Sequence, residues 1–176
     1  MRILIGFVLA LLSFPAMAGA LSGRVIVITD GNTITLMDAH KKQHRIRIAG
    51  IDSPEKAQPH GERSRKHLSE LVYDKTVDVT WRKYDRYGRI VGKVLVAPPH
   101  ACPVVQPDCP KTLDVGLAQV AAGLAWTFSP TDEEQTPQER AVYSFSEQVA
   151  RGKRVGLWAD TAPVPPWQWR SEHKHQ

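Results

Sequence analysis

The 176-residue chain contains only two cysteines, and aromatic residues make up only 7% of it. Cys102 and Cys109 do not form a C-x2-C pair, and no histidine spacing completes a set of four ligands, so a structural zinc site is not expected. The seven histidines show no metal-ligand pattern, and His173 and His175 lie in a polar carboxyl-terminal tail. The sequence also has no internal repeat, which argues against a repeat architecture.

The amino-terminal apolar run, residues 3–12, is shorter than a typical membrane-spanning helix. It follows Arg2 and precedes the small-residue sequence Ala16-Met17-Ala18. A basic start, a short apolar stretch and an A-x-A site predict a secretory signal peptide over residues 1–18. Cleavage after Ala20 also satisfies the small-residue rule, and a retained membrane anchor is the alternative. We therefore expect an exported protein, periplasmic or secreted, without stable membrane association once the signal is removed.

Basic residues only slightly outnumber acidic ones, 23 to 18, which gives a formal net charge of +5. Removal of the signal would take away one positive charge, that of Arg2. A mildly basic body suits a polyanionic partner, but net charge alone does not identify one, because many basic domains carry solvated lysines and no partner.

The two cysteines lie in one proline-rich segment, residues 97–110. In an exported protein, an even pair of cysteines in one loop predicts a local disulfide between Cys102 and Cys109. Closing so short a loop would contribute roughly 2–3 kcal/mol if it is unstrained. Two free thiols in a loop are the alternative.

Five short segments carry the alternation or the β-branched residues that are typical of strands: 22–29, 33–37, 44–48, 76–81 and 90–96. Three segments are predicted as helices: 61–73, 113–122 and 137–151. Five strands with a helix after the third predict an α+β, mainly β, fold, a closed five-stranded OB-fold barrel with about three helices. Barrels of this kind commonly bind nucleic acid.

Two helices show more detailed signals. The first predicted helix has Leu68, Leu71 and Val72 on one face. The third has Thr136 as its predicted N-cap and Pro137 at its first position. Its apolar residues follow an i, i+4, i+8 pattern made of Ala141, Phe145 and Val149. We place the folded domain at residues 19–160 and predict that residues 161–176, rich in proline and tryptophan, form an extended tail whose tryptophans pack on the barrel.

Two short segments, residues 47–55 and 85–89, combine arginines with carboxylates beside turn residues. An arginine presents a planar fork of donors that can hold two phosphate oxygens at once. A carboxylate can hold a hard cation or take a proton from water. Together these groups are the set needed to cut a phosphodiester. Upstream, Asp30-Gly31-Asn32-Thr33 predicts a tight turn that can supply another oxygen ligand.

With these motifs the sequence resembles the thermonuclease, or staphylococcal nuclease-like, family over about residues 24–160. The family pattern is D-G-D-T, R-x4-D-[TS]-P-E, D-[KR]-Y-G-R, a G-L-A segment and a helix ending near L-W. The matching residues follow in the same order: 30–33, 47–55, 85–89, 123–125 and 156–158. Five ordered motifs are far more specific than any one of them. The third position of the first motif departs from the pattern, because Asn32 stands where the family has a calcium-binding aspartate.

The resemblance implies a role for each matching residue in cleavage. Glu55 would activate or orient the attacking water, and Arg47 and Arg89 would stabilise the charge that develops on the phosphate. Calcium would be bound by Asp52 and by the backbone carbonyl of Ser53. The alternatives are structural: Asp52 as a turn cap, and Glu55 and Arg89 as surface residues.

For the substrate, the resemblance implies nucleotide contacts from Arg86 and Tyr87, with the tyrosine ring stacking on a base. Trp126 and Phe128 occupy positions where the family often has two aromatic residues beside the base pocket. Core packing is the strong alternative for Trp126. Phe128 has no hydroxyl, so a hydrogen bond made there by a family tyrosine is lost.

Asn32 can still coordinate calcium through its amide oxygen, but it brings no negative charge to the site. We therefore expect weak calcium binding, with Asp30 as an outer-shell partner. The expected function is that of a calcium-dependent endonuclease, monomeric, with little sequence specificity for DNA and RNA, which hydrolyses the 5′ P–O bond and leaves 3′-phosphates. The alternatives are an OB-fold module that binds nucleic acid without cutting it, and an exported OB-type domain with a protein or carbohydrate partner.

Overall fold

The computed structural model describes residues 19–99, 101–102, 109–128 and 134–173. The predicted signal segment 1–18 lies outside the described residues, as does His175. Within these described ranges, none of the helices has the length and apolar character needed to cross a membrane.

The described elements are eight strands, four α-helices and one 3₁₀ turn. In chain order they are β1 (Gly19–Ile28), β2 (Thr33–Met37), β3 (Gln43–Ile48), β4 (Ile51–Asp52), α1 (Gly61–Val72), β5 (Thr76–Tyr84), β6 (Ile90–Val96), β7 (Leu113–Asp114), α2 (Val115–Ala121), β8 (Trp126–Thr127), α3 (Pro137–Gly152), the 3₁₀ turn (Gly156–Ala159) and α4 (Pro166–Glu172).

Five of these strands close into a barrel with the order β3-β2-β1-β5-β6. Neighbours along this order are antiparallel, and the barrel closes because β6 pairs in parallel with β3, where Arg47 lies opposite Val91. The short strand β7 pairs antiparallel with the end of β6 at the edge of this sheet, while β4 and β8 form a separate two-stranded ribbon. The predicted α+β OB-fold barrel is confirmed, with four α-helices in the described residues rather than about three.

The barrel interior is filled by apolar side chains from alternate strand positions and from the helices that cover it. Leu68 and Val72 of α1 are fully buried there, as the apolar face of the predicted helix required, and Leu71 packs at its margin. Burial of this kind is the main source of stability in a small domain.

The apolar pattern predicted for α3 identified the wrong face of that helix. Phe145 is 66% exposed and Val149 is 37% exposed, whereas Tyr143 and Glu147 are buried. The reason is hydrogen bonding: the Tyr143 hydroxyl donates to Asp114 at 2.7 Å, and Glu147 accepts from residue 127 of β8. The N-terminal prediction holds, because Thr136 caps the helix and Pro137 begins it.

The carboxyl-terminal segment is not extended throughout, which corrects the prediction for residues 161–176. Residues Pro166–Glu172 form α4, and the proline at its first turn favours a helix start there. Trp167 packs against Trp126 of β8 and against Phe128, which follows β8, so its contact is with the β4–β8 ribbon and not with the five-stranded barrel. In the loop between β6 and β7, Cys102 and Cys109 form a disulfide with their Cα atoms 6.1 Å apart.

Candidate active site

A cleft of about 770 Å³ lies where β3, β4, the β5–β6 turn and α4 meet. It collects nine of the ten residues predicted to act in catalysis, metal binding or substrate binding. These are Asn32, Arg47, Asp52, Ser53, Glu55, Arg86, Tyr87, Arg89 and Phe128. Residues from motifs that are far apart in the sequence thus share one cleft.

Asp52 is held by the short ribbon of β4 and β8, in which it pairs with Trp126. Only 8% of its side chain is exposed. Burial raises the pKa of Asp52, although the neighbouring guanidinium groups of Arg170 and Arg47 oppose the rise. A buried carboxylate of this kind needs a cationic partner to remain ionised.

Asn32 and Ser53 meet beside Asp52. The Ser53 hydroxyl donates to the Asn32 amide oxygen at 3.2 Å, and the Asn32 amide nitrogen donates to the Ile51 carbonyl at 3.3 Å. Both residues are buried. These bonds fix the orientation of the amide: its oxygen, the one amide atom that can bind a cation, faces Ser53, and its nitrogen faces Ile51.

Asp30 also lines the cleft, and its side chain accepts from the Asn32 backbone N–H at 2.9 Å. Burial raises the pKa of Asp30, and the nearby Glu55 carboxylate adds to the rise, while Arg89 opposes it. Asp30 therefore belongs to the same electrostatic cluster as the predicted base and one predicted phosphate-binding arginine.

Glu55 projects from the loop between β4 and α1, and its side chain is 40% exposed. The loop is folded tightly: Gln58 accepts from the Glu55 backbone N–H at 3.1 Å, and the Glu55 carbonyl accepts from the Gln58 N–H at 2.9 Å. A β-carbon at Gly61 would lie 1.9 Å from the Glu55 carbonyl oxygen. Glycine at the start of α1 therefore permits the close approach that places Glu55 at the cleft.

Arg47 lies on β3 with only 11% of its side chain exposed. One terminal nitrogen donates to both carboxylate oxygens of Glu134 at 3.0 Å, and the other donates to the Ile51 carbonyl at 3.4 Å. Glu134 also accepts from the Gly50 backbone N–H at 3.2 Å and lies 3.4 Å from the Lys83 ammonium. No motif in the sequence singles out Glu134, although it fixes the position of a predicted catalytic arginine.

Arg89 is positioned by the β5–β6 turn. Asp85 accepts from the backbone N–H groups of Tyr87 and Arg89 at 2.9 and 3.0 Å, and its other oxygen lies 2.6 Å from the Arg89 Nε. Gly88 has a φ of 74°, which is the left-handed conformation that favours glycine. Burial alone would raise the pKa of Asp85, but the bonds from Arg89 and the turn hold it below its ordinary value.

The predicted aromatic residues fall into three settings. Tyr87 is 68% exposed, and the guanidinium groups of Arg86 and Arg89 lie 5.3 and 5.5 Å from its ring centroid. Phe128 lines the cleft and stacks on Trp167, with ring centroids 5.0 Å apart. Trp126 is only 4% exposed and does not line the cleft, so the structure places it in the core rather than at a base-binding surface.

Arg170, on α4, is the main site residue that the sequence analysis missed. One of its terminal nitrogens contacts Asp52 at 3.3 Å and Glu55 at 2.7 Å, and the other contacts Asp52 at 2.6 Å. Partial burial alone would lower the pKa of Arg170, but the bonds to the two carboxylates raise it. No nearby motif marks this arginine, and the contact joins residues more than a hundred positions apart.

The described residues contain no group of three or more histidines, cysteines and carboxylates arranged to hold a metal ion. Oxygen donors nevertheless meet at Asp52, Asn32 and Ser53, and hard oxygen donors are what calcium prefers. The guanidinium of Arg170 already places a positive charge against Asp52 and Glu55. The donor set therefore fits calcium, with few formal charges to hold it.

Comparison with known proteins agrees with this geometry. Residues 45–160 match the family described as Staphylococcal nuclease homologue. The chain belongs to the staphylococcal nuclease family. The family's members are nucleases, which places the chain among the hydrolases of the endonuclease type.

Relatives in this nuclease family match most of the chain. An uncharacterized endonuclease of Escherichia coli is 38% identical over 170 residues, which cover 97% of this chain and 98% of the relative. The micrococcal nuclease of Shigella flexneri is 33% identical over 180 residues, covering 99% of this chain and 94% of the relative. The staphylococcal-like nuclease CAN1 of Arabidopsis thaliana is 35% identical over 133 residues, 76% of this chain but 35% of the relative.

Proposed function

We propose that the protein is an exported, calcium-dependent endonuclease that hydrolyses phosphodiester bonds of DNA and RNA with little sequence preference. The observation that carries the proposal is that Arg47, Arg89, Asp52 and Glu55 line one cleft. Family membership supports the reaction class. The amino-terminal sequence supports export, because residues 1–18 have the composition of a secretory signal.

In the proposed reaction, Glu55 accepts a proton from a water molecule as the water oxygen bonds to phosphorus. The bond from phosphorus to the 5′ oxygen then breaks, that oxygen is protonated from solvent, and the 3′-phosphate remains on the other fragment. Glu55 is suited to this role because its side chain is partly exposed at the cleft while its backbone is fixed by Gln58.

Arg47 and Arg89 would bind the phosphate oxygens on which negative charge builds in the transition state. Both guanidinium groups are held before substrate arrives, Arg47 by Glu134 and Arg89 by Asp85. Such anchoring reduces the rearrangement needed during the reaction, which is how fixed charges contribute to rate.

Asp52, the Asn32 amide oxygen and the Ser53 backbone carbonyl would hold the calcium ion. When bound, the ion supplies positive charge that lowers the pKa of nearby water and neutralises the phosphate. Asp30, which hydrogen-bonds to the Asn32 backbone, would support this set from outside it.

The cleft offers stacking surfaces and backbone contacts rather than a code for particular bases. Tyr87 is exposed beside Arg86 and Arg89, so its ring can stack on any base while the arginines hold phosphates. This arrangement is consistent with activity on both DNA and RNA, and we propose that the enzyme acts as a monomer.

The test is to incubate residues 19–176 with single-stranded DNA across calcium concentrations from zero to roughly 10 mM, the weak end for extracellular calcium sites. We expect calcium-dependent fragments that carry 3′-phosphates, and complete inhibition by a chelator. Fragments that form equally well in the chelator would refute the calcium dependence, and fragments with 5′-phosphates would refute the bond assignment.

A second candidate is a module that binds nucleic acid without cutting it, and Asn32 favours it because the amide brings no charge to the metal site. This function predicts DNA binding that weakens steeply with salt and no products at any calcium concentration. The calcium series separates the two candidates, since intact DNA that still shifts on a gel would support the binding module.

A further inference from the structure

The carboxyl-terminal segment, residues 160–173, is fastened to the loop that carries Glu55. Gln58, which is only 5% exposed, accepts from the Glu55 backbone N–H and donates to the Val164 carbonyl at 2.6 Å. Nearby, the His60 ring lies 2.9 Å from the Asp160 carboxylate. The segment is therefore joined to the catalytic loop before it reaches the cleft.

The next contact of the segment covers an aromatic residue of the cleft. Trp167 stacks on Phe128 with an interplanar angle of 21° and also meets Trp126 edge-on, with ring centroids 6.5 Å apart. Trp167 remains 40% exposed. A tryptophan of the chain itself thus covers the ring of Phe128, which the family resemblance places beside the base pocket.

The last contact places a cation on the two carboxylates. Arg170 meets both oxygens of Asp52, at 3.3 and 2.6 Å, and one oxygen of Glu55 at 2.7 Å. A guanidinium that uses both oxygens of a carboxylate leaves no equivalent approach for a metal ion from the same side. Asp52 is the single charged member of the proposed calcium set, so the competition falls on its strongest ligand.

We propose that residues 164–170 are a built-in occupant of the active site, in which Arg170 holds the cation position and must leave before calcium binds. This inference rests on the proposed function, because it concerns the same calcium site. Residues 164–170 lie beyond the 45–160 range that matches the family. Calcium would open the cleft for substrate by displacing α4, and both Phe128 and Glu55 would be freed in the same step.

The strength of the effect follows from how often α4 is docked. If nine molecules in ten carry the docked segment, only a tenth can bind calcium, and the apparent dissociation constant rises about tenfold. Removal of the competing guanidinium should therefore tighten calcium binding by about that factor, and the loss of a positive charge beside Asp52 acts in the same direction.

The test is titration calorimetry with calcium alone, without nucleic acid, on the wild type, Arg170→Ala and Arg24→Ala. Arg24 is a charge-matched control, because its guanidinium pairs with Asp74 and does not line the cleft. We expect Arg170→Ala to bind calcium more tightly than the wild type, by about tenfold for a segment docked in nine molecules of ten, and Arg24→Ala to bind it as the wild type does. Unchanged or weaker binding by Arg170→Ala would overturn the competition while the nuclease proposal stands.

Two further measurements test the same proposal independently of whether Arg170→Ala folds correctly. Trp167→Ala removes the stack on Phe128 without changing charge, and it should also tighten calcium binding. In the wild type, amide hydrogen exchange across α4 should become faster when calcium saturates the protein, and unchanged or slower exchange would contradict displacement. Failure of all four proteins to bind calcium would refute the calcium assignment itself, and the competition with it.

Discussion

Replacement of Asn32 by aspartate should lower stability in the absence of calcium, and calcium should offset that loss. The Asn32 amide nitrogen donates to the Ile51 carbonyl at 3.3 Å, and the residue is only 7% exposed. An aspartate would lose this bond and place a carboxylate oxygen against a carbonyl oxygen. Leaving a buried polar group without its partner costs about 1–3 kcal/mol, so we expect Asn32→Asp to unfold more easily in a chelator.

Calcium should offset this loss, because the new carboxylate adds one formal negative charge to a site that has Asp52 as its charged ligand. Calcium affinity in proteins is tuned by the number of charged ligands. A gain of about 1.4–2.8 kcal/mol corresponds to binding that is 10- to 100-fold tighter. Excess calcium also stabilises the wild type, so the variant gains only this difference in binding free energy over the wild type, which is similar in size to its loss of stability in chelator.

The assays are titration calorimetry with calcium and urea unfolding of both proteins in chelator and in excess calcium. Gln148→Glu is the matched control, since it adds the same charge at an exposed position of α3. We expect no change in calcium affinity for the control. An Asn32→Asp protein with wild-type calcium affinity would refute the placement of Asn32 among the metal ligands.

Two further predictions concern buried charges and pH. Glu134→Ala should lower the free energy of unfolding by about 3–5 kcal/mol, because it leaves the buried Arg47 guanidinium without its carboxylate partner. Urea unfolding measures this loss. Glu62→Ala is the control, since Glu62 is exposed and its removal should lower the free energy of unfolding only slightly. Burial alone would raise the pKa of Glu139, but the bonds from Lys93 and Thr136 hold it below its ordinary value of 4.5. The stabilisation from ionised Glu139 is therefore present above that value and is lost as pH falls through the lower pKa of the folded state. Glu139→Gln should cost about 1 kcal/mol at neutral pH, and its urea midpoint should approach that of the wild type below pH 4.5, whereas a constant difference at all pH values would contradict the assignment.

The barrel could be predicted from sequence because each strand carries its own signal. Alternation of apolar and polar residues along a strand, as at Ile46 and Ile48, identifies the face that turns to the core without information from distant residues, and both isoleucines are fully buried. The motif residues of the cleft were also accessible, because Asp52, Ser53 and Glu55 lie within one short segment whose spacing carries the information.

The remaining site residues could not be predicted, because their partners are remote in sequence. Arg170 meets Asp52 across 118 positions, and Glu134 meets Arg47 across 87. A local pattern does not record which distant charges meet when the chain folds. Trp126 illustrates the opposite problem: the family resemblance suggested that it contacts substrate, but packing against Trp158 and pairing with Asp52 bury it.

The measurement that tests the central claim most directly is the rate of single-stranded DNA cleavage by Glu55→Gln at saturating calcium. Glu62→Gln provides the control, since Glu62 is exposed on α1 and pairs with Arg65. Loss of a general base reduces the rate by about 10²–10⁴-fold, so we expect a decrease of that size for Glu55→Gln, unaltered thermal stability and a wild-type rate for Glu62→Gln. A Glu55→Gln protein that cuts DNA at the wild-type rate would contradict the assignment of this cleft as the active site of a nuclease.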